Sequence, residues 1–241
     1  MGALLYRGML IGLIAGIVAF SFARLYGEPY VDRAIQFEEQ VEQDKAIHNG
    51  ETVVPEPELV SRQTQSGIGL LVGITVYGAA IGGLFSLCCA FAYGRLGNIG
   101  VMHMSLVLAA SAFIAVVLIP QLKYPSNPPG VGSPTTIVSR TEDYFLLILI
   151  SLLAMVLVYI CVHKFKNKYG GLNTSIVSAY CYIVFMGIVF MIMPPVNEVP
   201  SNFSADVLWH FRLASLSIQA ILWSIVGVGF GYSAQRLLKP E

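Results

Sequence analysis

Charge is what this chain of 241 residues has least of. Asp, Glu, Lys and Arg make up 12% of it, about half the ~25% of an average soluble protein. Apolar residues reach 56% and the mean hydropathy is +0.70, so too little polar surface exists to clothe a water-soluble globule. Disorder needs low hydrophobicity with high net charge and is excluded as well. The net charge is zero, which leaves no basic field to hold nucleic acid. Cysteine is scarce too. Cys88 and Cys89 are adjacent and diverge on a helix, Cys161 and Cys181 stand alone, and no CxxC occurs, so disulfide frameworks, zinc ribbons and iron–sulfur sites are not indicated. The four histidines, 48, 103, 163 and 210, are scattered. There is no phosphate-binding GxxxxGK[ST] loop, no HExxH, no GxSxG and no paired intramembrane aspartate. The chain is expected not to be an enzyme and to need no cofactor.

What the sequence has instead is length without charge. Asp, Glu, Lys and Arg are missing from 8–23, 63–94, 96–122, 144–163, 169–197 and 213–235. A helix needs about 20 apolar residues to cross the ~30 Å hydrocarbon layer. The pattern predicts an all-α integral membrane protein: a six-transmembrane-helix bundle forming a single membrane domain over 1–241. Its helices lie near 4–24, 67–94, 101–120, 143–163, 174–193 and 210–234, with an outer segment at 25–66. Barrel strands would alternate in polarity, and runs such as Phe145-Leu-Leu-Ile-Leu-Ile do not. The first span has the look of a signal peptide, with Arg7 ahead of it and Ser21-Phe22-Ala23 behind. Gly8, Gly12 and Gly16, however, fall at i, i+4 and i+8, a packing stripe that marks a retained helix. The same reasoning assigns Gly69xxxGly73, Gly78xxxGly82 and Gly227xxxGly231 to close-packing seams, and these faces offer a route to an oligomer. The polar side chains left inside the spans (Gln219, Ser215, Ser217, Ser224, Thr75, Tyr77, Tyr180 and Tyr182) read as interhelical hydrogen-bonding groups.

Six spans put seven cations on each face of the membrane. The positive-inside rule weights short loops. Lys164, Lys166 and Lys168 crowd one short loop, whereas thirteen of the fourteen acids lie on the opposite face. Both termini are therefore expected in the cytoplasm and the acidic loops outside.

The outer face reads as structured. Residues 30–47 form an amphipathic helix, with Val31, Ile35, Phe37 and Val41 to one side and the carboxylates Asp32, Glu38, Glu39 and Glu42 opposite. A polar, Pro-containing connector follows from His48 to Pro57. Two Pro-rich loops, Lys123-Tyr-Pro-Ser-Asn-Pro-Pro-Gly and Pro194-Pro-Val-Asn-Glu-Val-Pro, are stiff and non-helical. Ser133-Pro134 is an N-cap followed by proline at the first helical position.

Several blocks on this face resemble the CbtA-type family. They are Gly27-Glu28-Pro29, Asp32 to Glu38, Leu59-Val60-Ser61-Arg62 with Gln65, Lys123 to Pro129 running to Arg140, and Val196-Asn197-Glu198-Val199-Pro200. Gly94-Arg95-Leu96-Gly97, Leu208-Trp209, Phe211-Arg212, Ser215, Gln219 and Trp223 belong to the same resemblance, which covers nearly the whole chain. It implies a subunit described as a probable cobalt transporter component, multi-pass in the bacterial plasma (inner) membrane. It also implies a partner, a small single-helix membrane subunit with a His-rich end. Cobalt would be cargo, not a resident cofactor. Divalent cobalt favours nitrogen and oxygen ligands, and the candidates are Glu198, His210 and Asn197 beside Asn127, with the acidic helix as an attractor. Glu198 has a structural alternative as a cap or as the partner of Arg212, which must itself point away or be held by an acid such as Asp206. Met102-His103-Met104 offers soft ligands, but consecutive helical residues diverge. The functional expectation is a membrane subunit of a divalent-metal uptake system; the alternative is a non-transporting scaffold or accessory subunit.

Topology is directly testable. Cysteines introduced at Glu51 and Gly130 should react with an impermeant reagent in intact cells, while those at Asn167 and Glu241 should not. The reverse pattern would mean that the charge argument chose the wrong face.

Overall fold

Two prolines lie within helices of this protein without ending them. In the computed structural model, which describes residues 2–50, 60–95 and 99–238, helix α1 runs unbroken over Gly2–Asn49 and passes straight through Pro29. A proline ring collides with the carbonyl four residues back and supplies no N–H. That carbonyl belongs to Leu25, which lies within a π-helical turn at Ala23–Gly27. The wider turn makes room for the ring. The device recurs at Pro120, which follows a π-helical turn at Ile114–Leu118. The expected break between a helix at 4–24 and a separate one at 30–47 is thus corrected. The two are one rod of 48 residues, about 72 Å long at ~1.5 Å per residue, more than twice the ~30 Å hydrocarbon layer. Its second half stands outside the membrane.

Five further helices follow: α2 (Arg62–Ala92), α3 (Val101–Lys123), α4 (Pro134–Tyr169), α5 (Gly171–Ile192) and α6 (Ala205–Leu237). With α1, all six are long and apolar enough to span a membrane. The described residues contain no strand. α2 begins earlier than hydropathy suggests because the Ser61 hydroxyl accepts from Thr64 N at 3.3 Å. α4 starts as expected at Ser133-Pro134, with Ser133 Oγ accepting from Thr135 N at 3.4 Å. It then runs well past the 143–163 span. Only Gly170 separates α4 from α5, at φ +83°, a conformation that a side chain would strain. The expected 48–57 connector falls largely outside the described residues, as do Leu96, Gly97 and Lys239.

The seams explain which helices touch. Gly8, Gly12 and Gly16 of α1 lie against Gly78, Gly82 and the Ile74-Thr75 backbone of α2. A Cβ at Gly16 would sit 2.7 Å from Thr75 Cα, and one at Gly12 would sit 3.1 Å from Gly82 Cα. α6 meets α3 the same way: a Cβ on Gly227 would be 2.6 Å from Ala109 Cβ, and Ser105 Oγ donates to Gly227 O at 2.7 Å. Gly69xxxGly73 is not a seam. Gly73 meets nothing within 4 Å, and Gly69 approaches only Thr64 of its own helix. Gly78xxxGly82 and Gly227xxxGly231 are used for packing inside the chain, whereas the Gly69xxxGly73 face is not.

α1, α2, α3 and α6 share a core in which Phe85 sits edge-on to Trp223 and Phe230, with ring centroids 6.2 and 5.7 Å apart. The α4–α5 hairpin has its own core of Leu147, Ala154, Tyr182 and Met186, and leans on the far end of α3 through Ile114, Ile119 and Tyr124. Ser151 pairs with Tyr182 inside the hairpin and Ser111 with Tyr159 ties it to α3, each hydroxyl pair at 2.7 Å. Gln219, expected to bridge helices, instead buries Oε1 with no hydrogen-bond partner among the described residues. Arg7 donates to Ser233 O at 2.7 Å, so both ends of the chain lie on one side, the terminal face. The opposite side is the loop face.

Replacing Gly16 by Val should push α1 from α2 at a cost of about 1–3 kcal/mol, as for other overpacked sites. Gly73→Val should be near neutral by the same criterion. Thermal unfolding in detergent distinguishes them; equal melting of both variants would refute the seam.

Candidate functional site on the loop face

The protruding half of α1 is roofed by the two proline loops. Tyr30, Ala34 and Phe37, at helical spacing, pack on Val131, Val199, Phe203 and Val207. Phe37 stands edge-on to Phe203 at 4.9 Å. Val31, Ile35, Phe37 and Val41 are half-buried as expected, but the centre of the buried stripe is Ala34, fully enclosed. Gly130, at φ +72°, lets the first loop turn against the helix, where a Cβ would come 2.9 Å from Glu38 Cβ.

Three arginine-centred clasps fasten this face. Arg62, at the start of α2, pairs with buried Glu28 and donates to Asp32 Oδ1 from Nε (3.0 Å) and Nη2 (2.9 Å). The two acids are one turn apart on α1, so one guanidinium joins that helix to the start of α2 through both. Asp32 is therefore not part of the open acidic stripe, which reduces to exposed Glu38, Glu39 and Glu42. Glu198, from the second loop, accepts from Thr136 Oγ1 (2.6 Å) and from Ser133 N (2.7 Å), with Arg140 Nε at 3.4 Å. It ties the second proline loop to the start of α4. Arg212 of α6 donates to Asn127 Oδ1 (2.8 Å) and Ser126 O (3.3 Å) of the first loop.

Two further contacts hold the loops. Lys123 Nζ donates to Phe190 O and Met193 O, at 2.8 and 2.9 Å, at the C-terminal end of α5, where helix carbonyls favour a cation. Tyr124 donates to Pro194 O at 2.9 Å. Burial, with the charge of Asp143, pushes its phenol up and preserves the donating proton.

The candidate ligands are thus engaged separately. Glu198 uses both oxygens structurally, and its partners are Ser133, Thr136 and Arg140, not Arg212. Asn127 is taken by Arg212, and Asp206 does not hold that arginine. Asn197 is exposed, and no side-chain hydrogen bond joins it to Glu198 or His210 among the described residues. His210 stacks on Tyr30 (5.0 Å, 9°), and its Nδ1 lies 2.9 Å from Asp206 O and 3.2 Å from Asp206 Oδ1. A carbonyl oxygen only accepts, so Nδ1 carries the hydrogen, and in neutral imidazole the Nε2 lone pair is free. No group of three or more His, Cys, Asp or Glu that could hold a metal ion occurs among the described residues. The i, i+4 spacing of Asp206 and His210 was readable in the sequence. The Glu198–Thr136 and Arg62–Glu28 contacts, between segments far apart in the chain, were not.

Six apolar spans, two glycine seams and a roof of proline loops define a polytopic membrane protein. The family model described as "Probable cobalt transporter subunit (CbtA)" matches residues 1–235, and the chain belongs to that family. No curated protein and no solved structure matches it.

The Glu198 clasp has a pH signature. The Thr136 hydroxyl, then the Ser133 amide, then Arg140 hold its carboxyl below the ordinary value of 4.5. A carboxyl depressed on folding stabilises above the unfolded pKa, and that gain drains away as pH falls through the folded value. The melting difference between wild type and Glu198→Gln should therefore be full near neutrality and shrink below 4.5. A difference constant with pH would show that the charge is not what holds the loops.

Proposed function

We propose that this chain is the membrane subunit of a divalent-metal uptake system, with cobalt as its cargo and the loop face outward. Family membership supports transport. The observation that carries the ligand assignment is His210: its Nδ1–H is fixed by Asp206, and a ring held in this way presents Nε2 to an incoming cation. Histidine ligands are ordinarily oriented by a carbonyl or carboxylate on the other ring nitrogen. Exposed Glu38, Glu39 and Glu42 raise the local concentration of cations. Glu198 keeps the loops in place instead of coordinating, because Arg140 already neutralises it. His210 alone does not complete a coordination shell. A small single-helix subunit with a His-rich end, docking on the loop face, would supply the missing donors.

The scaffold alternative draws on the close-packed interior, whose buried Ser86, Ser105 and Ser151 hydroxyls are spent on protein partners. The two readings part on one experiment. Radiolabelled cobalt uptake should fall about ten-fold or more in His210→Ala, the scale on which metal sites respond to lost ligand geometry. Glu198→Gln should retain most of it at neutral pH. Unchanged uptake in His210→Ala at normal expression would remove the ligand assignment and favour the scaffold.

A further inference from the structure

The α4–α5 hairpin touches the rest of the bundle mainly near the loop face, and toward the terminal face it stands away. The gap is a crevice of about 990 Å³ between α2, α3 and α4, at the upper end of the ~300–1,000 Å³ typical of small-molecule sites. Its walls are apolar, with Ile81, Leu84, Phe91, Leu152, Val156 and Trp223 among them. Its terminal-face end is different in kind: Arg95, His163 and Lys164 line it there, and no acid lines it among the described residues.

The two permanent cations at this end contact aromatic rings and a carbonyl. Arg95 Nη1 donates to Phe91 O at 2.6 Å, and its guanidinium lies 4.5 Å from the Phe91 ring centroid. Lys164 Nζ sits 5.7 Å from the Phe165 ring. Neither forms an ion pair with a carboxylate among the described residues. The dimensions also fit. From Ile81 to Ala92 the wall of α2 rises about 16 Å at ~1.5 Å per residue, close to half of the ~30 Å hydrocarbon layer, and Arg95 lies in the turn just beyond the helix end.

We propose that this crevice is a binding site for an anionic phospholipid of the terminal-face leaflet. The acyl chains lie along α2 and α4, and the headgroup phosphate sits between Arg95 and Lys164, with His163 beside them. Apolar walls of one-leaflet depth ending in cations that pair with no carboxylate among the described residues match a molecule with hydrocarbon at one end and negative charge at the other. The proposal does not depend on what the chain transports.

The test uses the delipidated full-length protein in detergent, with phosphatidylglycerol or phosphatidylcholine of identical chains added, read by native mass spectrometry and by melting temperature. Wild type should retain phosphatidylglycerol preferentially and be stabilised by it. R95Q/K164Q should lose that preference, by about five-fold for each basic side chain removed, while still binding phosphatidylcholine. K166Q/K168Q, whose lysines share the face but do not line the crevice, should keep it. Equal retention of the two lipids by wild type would overturn the proposal, and so would an equal loss in K166Q/K168Q. A dimer that dissociates in Leu152→Trp would give the crevice to a second copy of the chain and also overturn it. Should R95Q/K164Q fail to fold, the wild-type comparison of the two lipids decides.

Discussion

The backbone contact between α1 and α2 governs how this protein is put together. In hydrocarbon, apolar side chains gain nothing by leaving lipid for one another, so helices associate where surfaces fit closely. Gly8, Gly12 and Gly16 bring α1 so near to Gly78 and Gly82 that no side chain can stand between them. α6 then joins through Ser105, Gly227 and Arg7. The α4–α5 hairpin has no such contact with this group, and its attachment to one end of α3 is what leaves the crevice open at the other.

Because α1 continues past the membrane, the seam also determines where the roof sits. Four cations of the loop face serve this assembly. Arg62 joins α1 to α2, Arg140 and Glu198 join α4 to the second proline loop, Arg212 joins α6 to the first, and Lys123 joins α3 to α5. Each has its charge opposed by a carboxylate, an amide oxygen or helix carbonyls. The acids of the outer helix beyond Asp32 are left exposed, so the surface offered to solvent is negative although cations and acids occur on the same face.

Much of the architecture was legible from the residues. Charge-free lengths located six helices, the i, i+4, i+8 glycines identified the packing side of α1, and Ser133-Pro134 marked the start of α4. These are local signals, each contained in a few turns of chain. Pro29 misled because its consequence depends on the width of the preceding turn, which residue identity alone does not specify. Gly69 and Gly73 have the same spacing as Gly78 and Gly82, yet spacing cannot tell which face meets a neighbour. For the candidate site, the chemistry of His210 was readable while the roles of Glu198 and Arg212 were not, because Thr136, Ser133, Arg140 and Asn127 reach them from 58 to 85 residues away.

The unbroken α1 has a mechanical consequence. Its protruding part, Glu28–Asn49, is 22 residues of helix, a rod of about 33 Å, anchored at its base by the π-helical turn and the glycine seam. A tilt of roughly 5° at that base would carry the tip about 3 Å sideways by simple leverage on a helix of this length. Force applied to the roof, whether by a docking protein or by a cation drawing the carboxylates together, would arrive at the seam as torque. The rod therefore links events in water to the packing of the membrane-embedded bundle, without any loop intervening to absorb the motion.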